Sequence, residues 1–243
     1  MKHIAGLDIG TTGCKITVYD QEGTFCDRYY QDYPVKRVTG EHEVDAAAIW
    51  EGVKKVLREA AGNYPEISGI GVTSFGESCV LLDEDDLPVR PIMLYTDPRG
   101  AEECRMLTEK LGAEKIAKIT GIAPHSMYSL PKILWVKNHQ PEVFAKVRRI
   151  LMMEDYVIYL LTGNARIDHS LATRSMAFDI KNLQWSEEIL EAAELSEELF
   201  SEPVYAGTPV GTIKVSIAEE LGFLNSPMML QAGHDQVAAA IGL

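Results

Sequence analysis

The chain has 243 residues, 46% of them hydrophobic, which is enough apolar material for one large domain or two small ones. Lys and Arg number 23 against 36 Asp and Glu, a net charge of −13. That balance argues against sequence-independent binding to nucleic acid or to an anionic membrane, since both require clustered positive charge.

In chain order, Ile4 to Ile9 read as a short buried strand that runs into Leu7 to Lys15, LDIGTTGCK. Gly10 is expected to turn the backbone at positive φ without a Cβ clash, with Thr11, Thr12 and Gly13 at the tip. Beyond the tip Ile16 and Val18 alternate with Lys15 and Thr17, the period of a half-buried strand. The loop therefore joins two strands. The phosphate loops G-x-x-x-x-G-K-[ST] and G-x-G-x-x-G lead into helices, and neither pattern occurs. In a hairpin phosphate loop, backbone N–H groups and threonine hydroxyls converge on a phosphate, while Asp8 at the strand end can hold the water shell of Mg2+. Gly10, Thr11, Thr12 and Lys15 make up the candidate phosphate set. Asp, Gly and Thr at a hairpin are also ordinary turn chemistry, so this stretch by itself leaves both options open.

A turn at Asp20 to Gly23 and a third strand over Thr24 to Tyr30 complete an antiparallel meander. Asp45 is placed to cap a helix running to about Ala61, with Ile49, Val53, Val56, Leu57 and Ala60 on one face. Ile67 to Ser74 and Cys79 to Leu82 follow as strands. This order predicts a ribonuclease-H-like α/β sheet. From Asp97 the pattern turns helical, with Asp97 as N-cap and Pro98 at the first position. Helices are predicted over Arg99 to Leu111, Ala113 to Ile119, Leu130 to Asn138, Pro141 to Val147 and Asp155 to Leu161, forming an insertion over about 97–165. Short strands are expected at Arg148 to Met152 and Met176 to Ile180. Ser186 and Ser216 are expected to cap the helices Glu187 to Ala193 and Ile217 to Leu221. Met228 to Ala232 reads as a last strand opening into an alanine-rich helix at Gly233 to Gln236.

Cys14, Cys26, Cys79 and Cys104 form no C-x-x-C pair, so reduced thiols in a cytoplasm are expected. Ile4 to Leu7 is too short for a signal peptide or a membrane span, and no membrane partner is expected.

The second chemical signal is Gly233-His234-Asp235-Gln236, which places Asp235 near a helix N-terminus whose dipole and free N–H groups complement a carboxylate. A carboxylate beside a phosphate loop suits a base that takes a proton from an attacking hydroxyl, and phosphoryl transfer asks for little more than positioning. The same residue could instead serve only as the helix cap.

The two ends together resemble the amino-terminal half of a sugar kinase of the FGGY carbohydrate kinase family, which has the actin-like fold. Seven separated matches carry the resemblance: Leu7 to Thr12, Tyr95 to Arg99, Leu130 to Trp135, Glu154 to Tyr156, Leu161 to Gly163, Asp168 to Ser175, and Gly233 to Gln236. The resemblance covers essentially the whole chain, read as one domain over 1–243. It implies ATP and Mg2+ as cofactors, a small sugar or polyol as the partner, Asp235 as general base, and Asp8 near Mg2+ and the γ-phosphate. It also implies that most nucleotide contacts belong to a second actin-like domain outside this chain, so that little or no kinase activity is expected of these 243 residues alone. A homodimer is left open.

The acceptor should sit near Gly76, Glu77, Tyr95, Asp235 and Gln236. Xylulose kinases of the family typically carry Gln-Met-His-Gly where this chain has Phe75-Gly76-Glu77-Ser78; glycerol kinases carry Gln-Arg-Glu, which Glu77 fits and Gly76 does not. Gln236 also resembles the glycerol kinases, whereas Met127 stands where they have a tyrosine. A ketopentose such as xylulose is the first expectation and glycerol or another polyol or sugar acid the second. An actin-like ATPase acting on a partner protein and a non-catalytic sugar-binding module are the rival classes.

Overall fold

The computed structural model describes residues 3–242. β1 (His3–Ile9), β2 (Gly13–Asp20) and β3 (Phe25–Asp32) form the expected antiparallel meander. β4 (Val35–Val38) and β5 (Glu41–Val44) make a separate hairpin. Asp45 caps α1 (Ala46–Asn63) as expected, its carboxylate accepting from Ala47 N–H at 2.9 Å. β6 (Ile67–Ser74) then lies parallel to β1, followed by β7 (Cys79–Leu82) and β8 (Ile92–Met93), which extends the β4–β5 hairpin.

The helical stretch comprises α2 (Ala101–Leu111), α3 (Ala113–Thr120), α4 (Ser129–His139) and the single turn α5 (Pro141–Phe144). β9 (Arg149–Met152) returns to pair with β7 and feeds α6 (Met153–Thr162). The remainder is β10 (Arg166–Asp168), α7 (His169–Thr173), β11 (Phe178–Asp179), β12 (Gln184–Trp185), α8 (Glu187–Ala193), a 3-10 turn at Glu197–Leu199, β13 (Glu202–Val204), β14 (Pro209–Thr212), α9 (Val215–Leu221), β15 (Met228–His234) and α10 (Asp235–Ile241).

Six strands form the main sheet in the order β14-β15-β6-β1-β2-β3, with β15, β6 and β1 parallel. Its inward residues Leu7, Ile9, Ile16, Val18, Ile70, Val72 and Met229 share one core with Ile49, Val53, Val56 and Leu57 of α1 and with Met153, Val157 and Leu161 of α6. A second core gathers Leu107, Ile116, Leu130, Ile133, Leu171, Phe178, Trp185 and Ile189 from the helical region and the short strands after it. The insertion expected over 97–165 is thus divided. α6 is buried on nearly every side, apolar around most of its circumference, and packs on the main sheet; residues 167–195 contribute to the outer core instead.

Several local expectations change. Gly10 is not at positive φ; a Cβ there would lie 3.0 Å from the Gly13 carbonyl oxygen, and close approach across the turn is its constraint. α2 begins at Ala101 behind Gly100 at φ 95, and Asp97 is not its cap because Arg99 and His42 occupy that carboxylate. α9 begins at Val215 with Lys214 in the cap position, so Ser216 caps nothing. Met176 sits at φ 67 and breaks the strand predicted there, leaving Phe178–Asp179. Ser186 caps α8 as predicted. All four cysteines are free, and among the described residues no helix is long and apolar enough to cross a membrane.

Candidate active site

Three parallel strands end side by side at one end of the sheet, where Asp8 closes β1 and Asp235 follows β15 as the first residue of α10. Asp8 of β1 and Gly233 of β15 both lie opposite Thr73 of β6, from opposite sides. Two strand spacings separate them, about 10 Å. The room between is bounded below by the residues that leave β6, Phe75 to Glu77, because Phe75 N–H donates to Ile9 C=O at 3.0 Å and His234 pairs with Ser74.

On the β1 side, Gly10 N–H closes the hairpin on Gly13 C=O at 2.9 Å, and the Tyr33 hydroxyl donates to Gly10 C=O. Thr12 C=O accepts from Tyr33 N–H at 3.1 Å, leaving the threonine hydroxyls at the tip. Lys15 lies directly across from Asp8 and bridges it at 2.6 Å. The Lys15 charge expected for a phosphate is therefore shared with Asp8. Among the described residues no group of three or more His, Cys, Asp or Glu could cage a metal. Mg2+ needs no such cage, because it keeps several waters and binds through one or two carboxylates plus phosphate oxygens. Asp8, half-exposed at the strand end, fits that mode.

On the β15 side, the backbone before Asp235 is fixed from several directions. Glu154 Oε1 accepts from Ala232 N–H at 2.8 Å and Gly233 N–H at 2.9 Å. His234 N–H donates to Ser170 Oγ at 2.9 Å, and Thr73 Oγ1 donates to Gly233 C=O. Gly233 stands at φ 93, and a Cβ there would meet Ser170 Oγ at 2.9 Å and Asp168 Oδ2 at 3.2 Å. Asp235 is the first residue of α10 and not its cap; that position belongs to His234, whose side chain makes no capping bond. Asp235 Oδ1 accepts from Gln236 N–H at 2.6 Å and lies 3.4 Å from His234 Nε2, while the carboxylate stays partly open to solvent. The Gln236 residue is exposed.

Between the two sides, Gly76 and Glu77 converge on His234 and Arg174. A Cβ on Gly76 would lie 2.9 Å from His234 Cδ2 and 3.1 Å from Arg174 Cγ. Glu77 is buried, 6% exposed, and ion-paired to Arg174. It is not the solvated turn residue that a loop position would allow. Tyr95 is 44% exposed, on the loop between β8 and α2, and among the described residues no hydrogen bond ties it to the Asp235 cluster. Its neighbour Asp97 is 2% exposed. Burial works against the Asp97 charge, but hydrogen bonds from the Arg99 side chain and from the His42 and Arg99 N–H groups outweigh it and hold the pKa below the usual carboxylate range.

Sequence reasoning missed the groups that hold this arrangement. Arg174 and Ser170 lie in DHSLATRS, and Glu154 in EDY, stretches marked only as matches. Burial pushes the Glu154 carboxyl well above its normal range, the Asp168 charge adds to this, and the two N–H bonds from Gly233 and Ala232 only partly oppose it. Glu154 Oε2 is buried with no partner among the described residues. Lys132, within LPKILW, donates to Ser126 C=O at 2.7 Å and Met127 C=O at 3.0 Å; burial lowers its pKa to about 8 against the pull of the Asp97 carboxylate. For Glu154 and Lys132 the signal available was a charged residue inside an otherwise apolar helix; Ser170 and Arg174 carried no such signal.

Over residues 3–242 the chain matches the N-terminal domain of the FGGY family of carbohydrate kinases. It is 29% identical to the xylulose kinase of Lactococcus lactis over 248 residues, covering 100% of this chain and 49% of that protein. Among solved structures, a xylulose kinase from Brucella ovis superposes with a TM-score of 0.92 at 26% identity, covering 99% of this chain and 50% of the other. The Plasmodium falciparum glycerol kinase structure with ADP shares the fold at a TM-score of 0.91 and 22% identity, over 100% of this chain and 50% of that one. The chain spans about half the length of the curated relatives it matches.

Proposed function

The chain belongs to the FGGY family of carbohydrate kinases and has its actin-like α/β fold, and from that premise we propose that its polypeptide transfers the γ-phosphate of ATP to a hydroxyl of a ketopentose such as xylulose. The carrying observation is the common register of Asp8 and Gly233 about Thr73, with backbones about 10 Å apart, and Asp235 two residues past Gly233 at the start of α10, so that both carboxylates stand at the same end of the sheet. Asp235 takes the proton as the hydroxyl oxygen attacks the γ-phosphorus, and ADP leaves from the opposite side. Thr11 and Thr12 hold the phosphate by backbone and hydroxyl hydrogen bonds, with Lys15 supplying positive charge, while Gly10, whose N–H is taken by Gly13 C=O, shapes the turn. Asp8 would hold Mg2+, which when bound would neutralise charge on the phosphates. The rigid clamp on Ala232, Gly233 and His234 keeps the base from drifting, which matters for a reaction governed by positioning.

A polyol acceptor is the second option, favoured by Glu77 standing where the xylulose kinases carry histidine. The test is mass spectrometry of product with Mg-ATP and a panel of D-xylulose, L-ribulose, glycerol, erythritol and gluconate. The polypeptide is used at the length of its relatives, with the 243-residue chain in parallel. One phosphorylated acceptor is expected from the longer polypeptide and little or none from the chain alone. Asp235→Asn should lower turnover by about 10²–10⁴-fold with the fold intact. ATP turnover that ignores every acceptor would replace this proposal with an actin-like ATPase.

A further inference from the structure

The turn between β1 and β2 is gripped by a residue that lies outside it. A four-residue turn such as Gly10-Thr11-Thr12-Gly13 ordinarily closes with the last N–H on the first C=O. Among the described residues that bond is not made, and the Tyr33 hydroxyl donates to Gly10 C=O in its place. The Tyr33 N–H donates to Thr12 C=O at 3.1 Å, so this one residue holds two of the turn's peptide planes. In a trans peptide the C=O of one residue and the N–H of the next point in opposite directions. Drawing the Gly10 and Thr12 carbonyls towards Tyr33 therefore turns the Thr11 and Gly13 N–H groups away from it. Neither N–H has a hydrogen-bond partner among the described residues, although Gly13 is buried, and a buried amide without a partner is rare. The Tyr33 ring is itself buried in a notch of α1, where a Cβ on Gly52 would lie 3.1 Å from Tyr33 Cδ1 and 3.5 Å from Cys14 Sγ. Gly13 lies against β3, where a Cβ would meet the Gln31 carbonyl oxygen at 2.8 Å. Burial pushes the Tyr33 pKa up, with Cys14, Tyr30 and Asp8 adding to it, so the hydroxyl keeps its proton and stays a donor.

We propose that Tyr33 is a positioning residue for phosphoryl transfer: gripping two carbonyls of the turn, with its ring seated on Gly52 of α1, it aims the Thr11 and Gly13 N–H groups at phosphate oxygens. The proposal rests on the kinase reading for the claim that a phosphate comes to this turn. Preorganised donors act on a transferred phosphoryl group by where they point, so a brace that fixes their direction bears on the rate and not on the binding of the acceptor. Gly52 belongs to the same device. Glycine is a poor residue for a helix interior, and at this position it leaves room for the Tyr33 ring.

Steady-state kinetics and calorimetric titration of the acceptor, on the polypeptide at the length of its relatives, test this, with thermal unfolding run on every variant to confirm folding. Tyr33→Phe keeps the ring and loses the hydroxyl; kcat is expected to fall about tenfold while the acceptor Kd stays within about twofold of native. Gly52→Ala removes no hydrogen bond and suits the helix better, yet its Cβ presses on the ring, so it should lower kcat about threefold with Tm unchanged or raised. The double variant should match Tyr33→Phe alone in kcat, because Gly52→Ala acts through the Tyr33 hydroxyl. A purely structural role would instead make the losses follow Tm and add. A Tyr33→Phe kcat within about twofold of native, or losses that add in the double variant, would overturn the role of Tyr33 and leave the kinase proposal standing. If the native polypeptide hydrolyses ATP and phosphorylates no acceptor, the kinase reading falls, and the same variants decide the role of Tyr33 from the hydrolysis rate. No turnover of ATP at all would count against both.

Discussion

Replacing Glu154 by glutamine gives the sharpest physical test of how the backbone before Asp235, the proposed base, is held. The carboxyl is fully buried, one oxygen receives two backbone N–H groups, and the other has no partner among the described residues. Its folded pKa is raised well above the ordinary 4.5 by burial first and by Asp168 second. A raised folded pKa means that the native state keeps a proton that the unfolded chain releases once the pH exceeds about 4.5. Its stabilising contribution is therefore complete below that pH and is lost as the pH rises towards the folded value. The limiting slope is one proton, about 1.4 kcal/mol per pH unit. Glutamine keeps an oxygen for Ala232 and Gly233 and has no proton to lose. Urea unfolding of both proteins at pH 5, 6, 7 and 8 should show near-equal stabilities at the acid end, and a gap in favour of Glu154→Gln that widens with pH by up to that slope. Asp155, also raised by burial, contributes in the same direction in both proteins. Parallel pH profiles would refute the buried neutral acid.

Two further changes probe the scaffold. Gly100→Ala places a Cβ 2.8–2.9 Å from the Pro131 carbonyl at φ 95 and should cost about 2–4 kcal/mol in urea unfolding, from strain and from the clash that pushes α2 off α4. Arg99→Met leaves Asp97 buried without its cation, while Glu43 keeps Arg90 at 2.7 Å, and should destabilise by about 3–5 kcal/mol at pH 7. The Asp97 pKa is depressed in the native protein, so its contribution is present above pH 3.8 and is lost as the pH falls through the folded value. The Arg99→Met deficit should accordingly shrink on acidification, and a deficit independent of pH would show that packing of Arg99 on Trp135 is what was lost.

Where a local period sets an element, the sequence was sufficient. The hydrophobic alternation of β1 and β2, the Asp45 and Ser186 caps, and the strand at Ile67–Ser74 are legible because each rests on contacts within a few residues. The positions of Asp8 and Asp235 were legible for the same reason, one closing a strand before a glycine turn, the other opening a helix after a strand. The failures share a cause in the other direction. Asp97 carries a good capping signature, yet a buried arginine two residues on outbids the helix for its oxygens. Ser216 has the right residue type, but its helix starts one residue earlier. α6 was assigned to the insertion although its nearly unbroken apolar surface already marked a helix covered on all sides.

What the sequence determined by itself is the order of elements and the place of Asp8 and Asp235 at the ends of their strands, since periodicity, turn residues and caps act over one or two turns of chain. What only the tertiary structure decided is their partnership. Glu77 meets Arg174 across 97 residues, Gly233 meets Glu154 across 79, and Asp8 and Gly233 face each other only because β1 and β15 take neighbouring places on either side of β6. No local signal encodes such pairings, because their free energy comes from burying charged groups together, and which groups share a burial site depends on how the sheet is assembled.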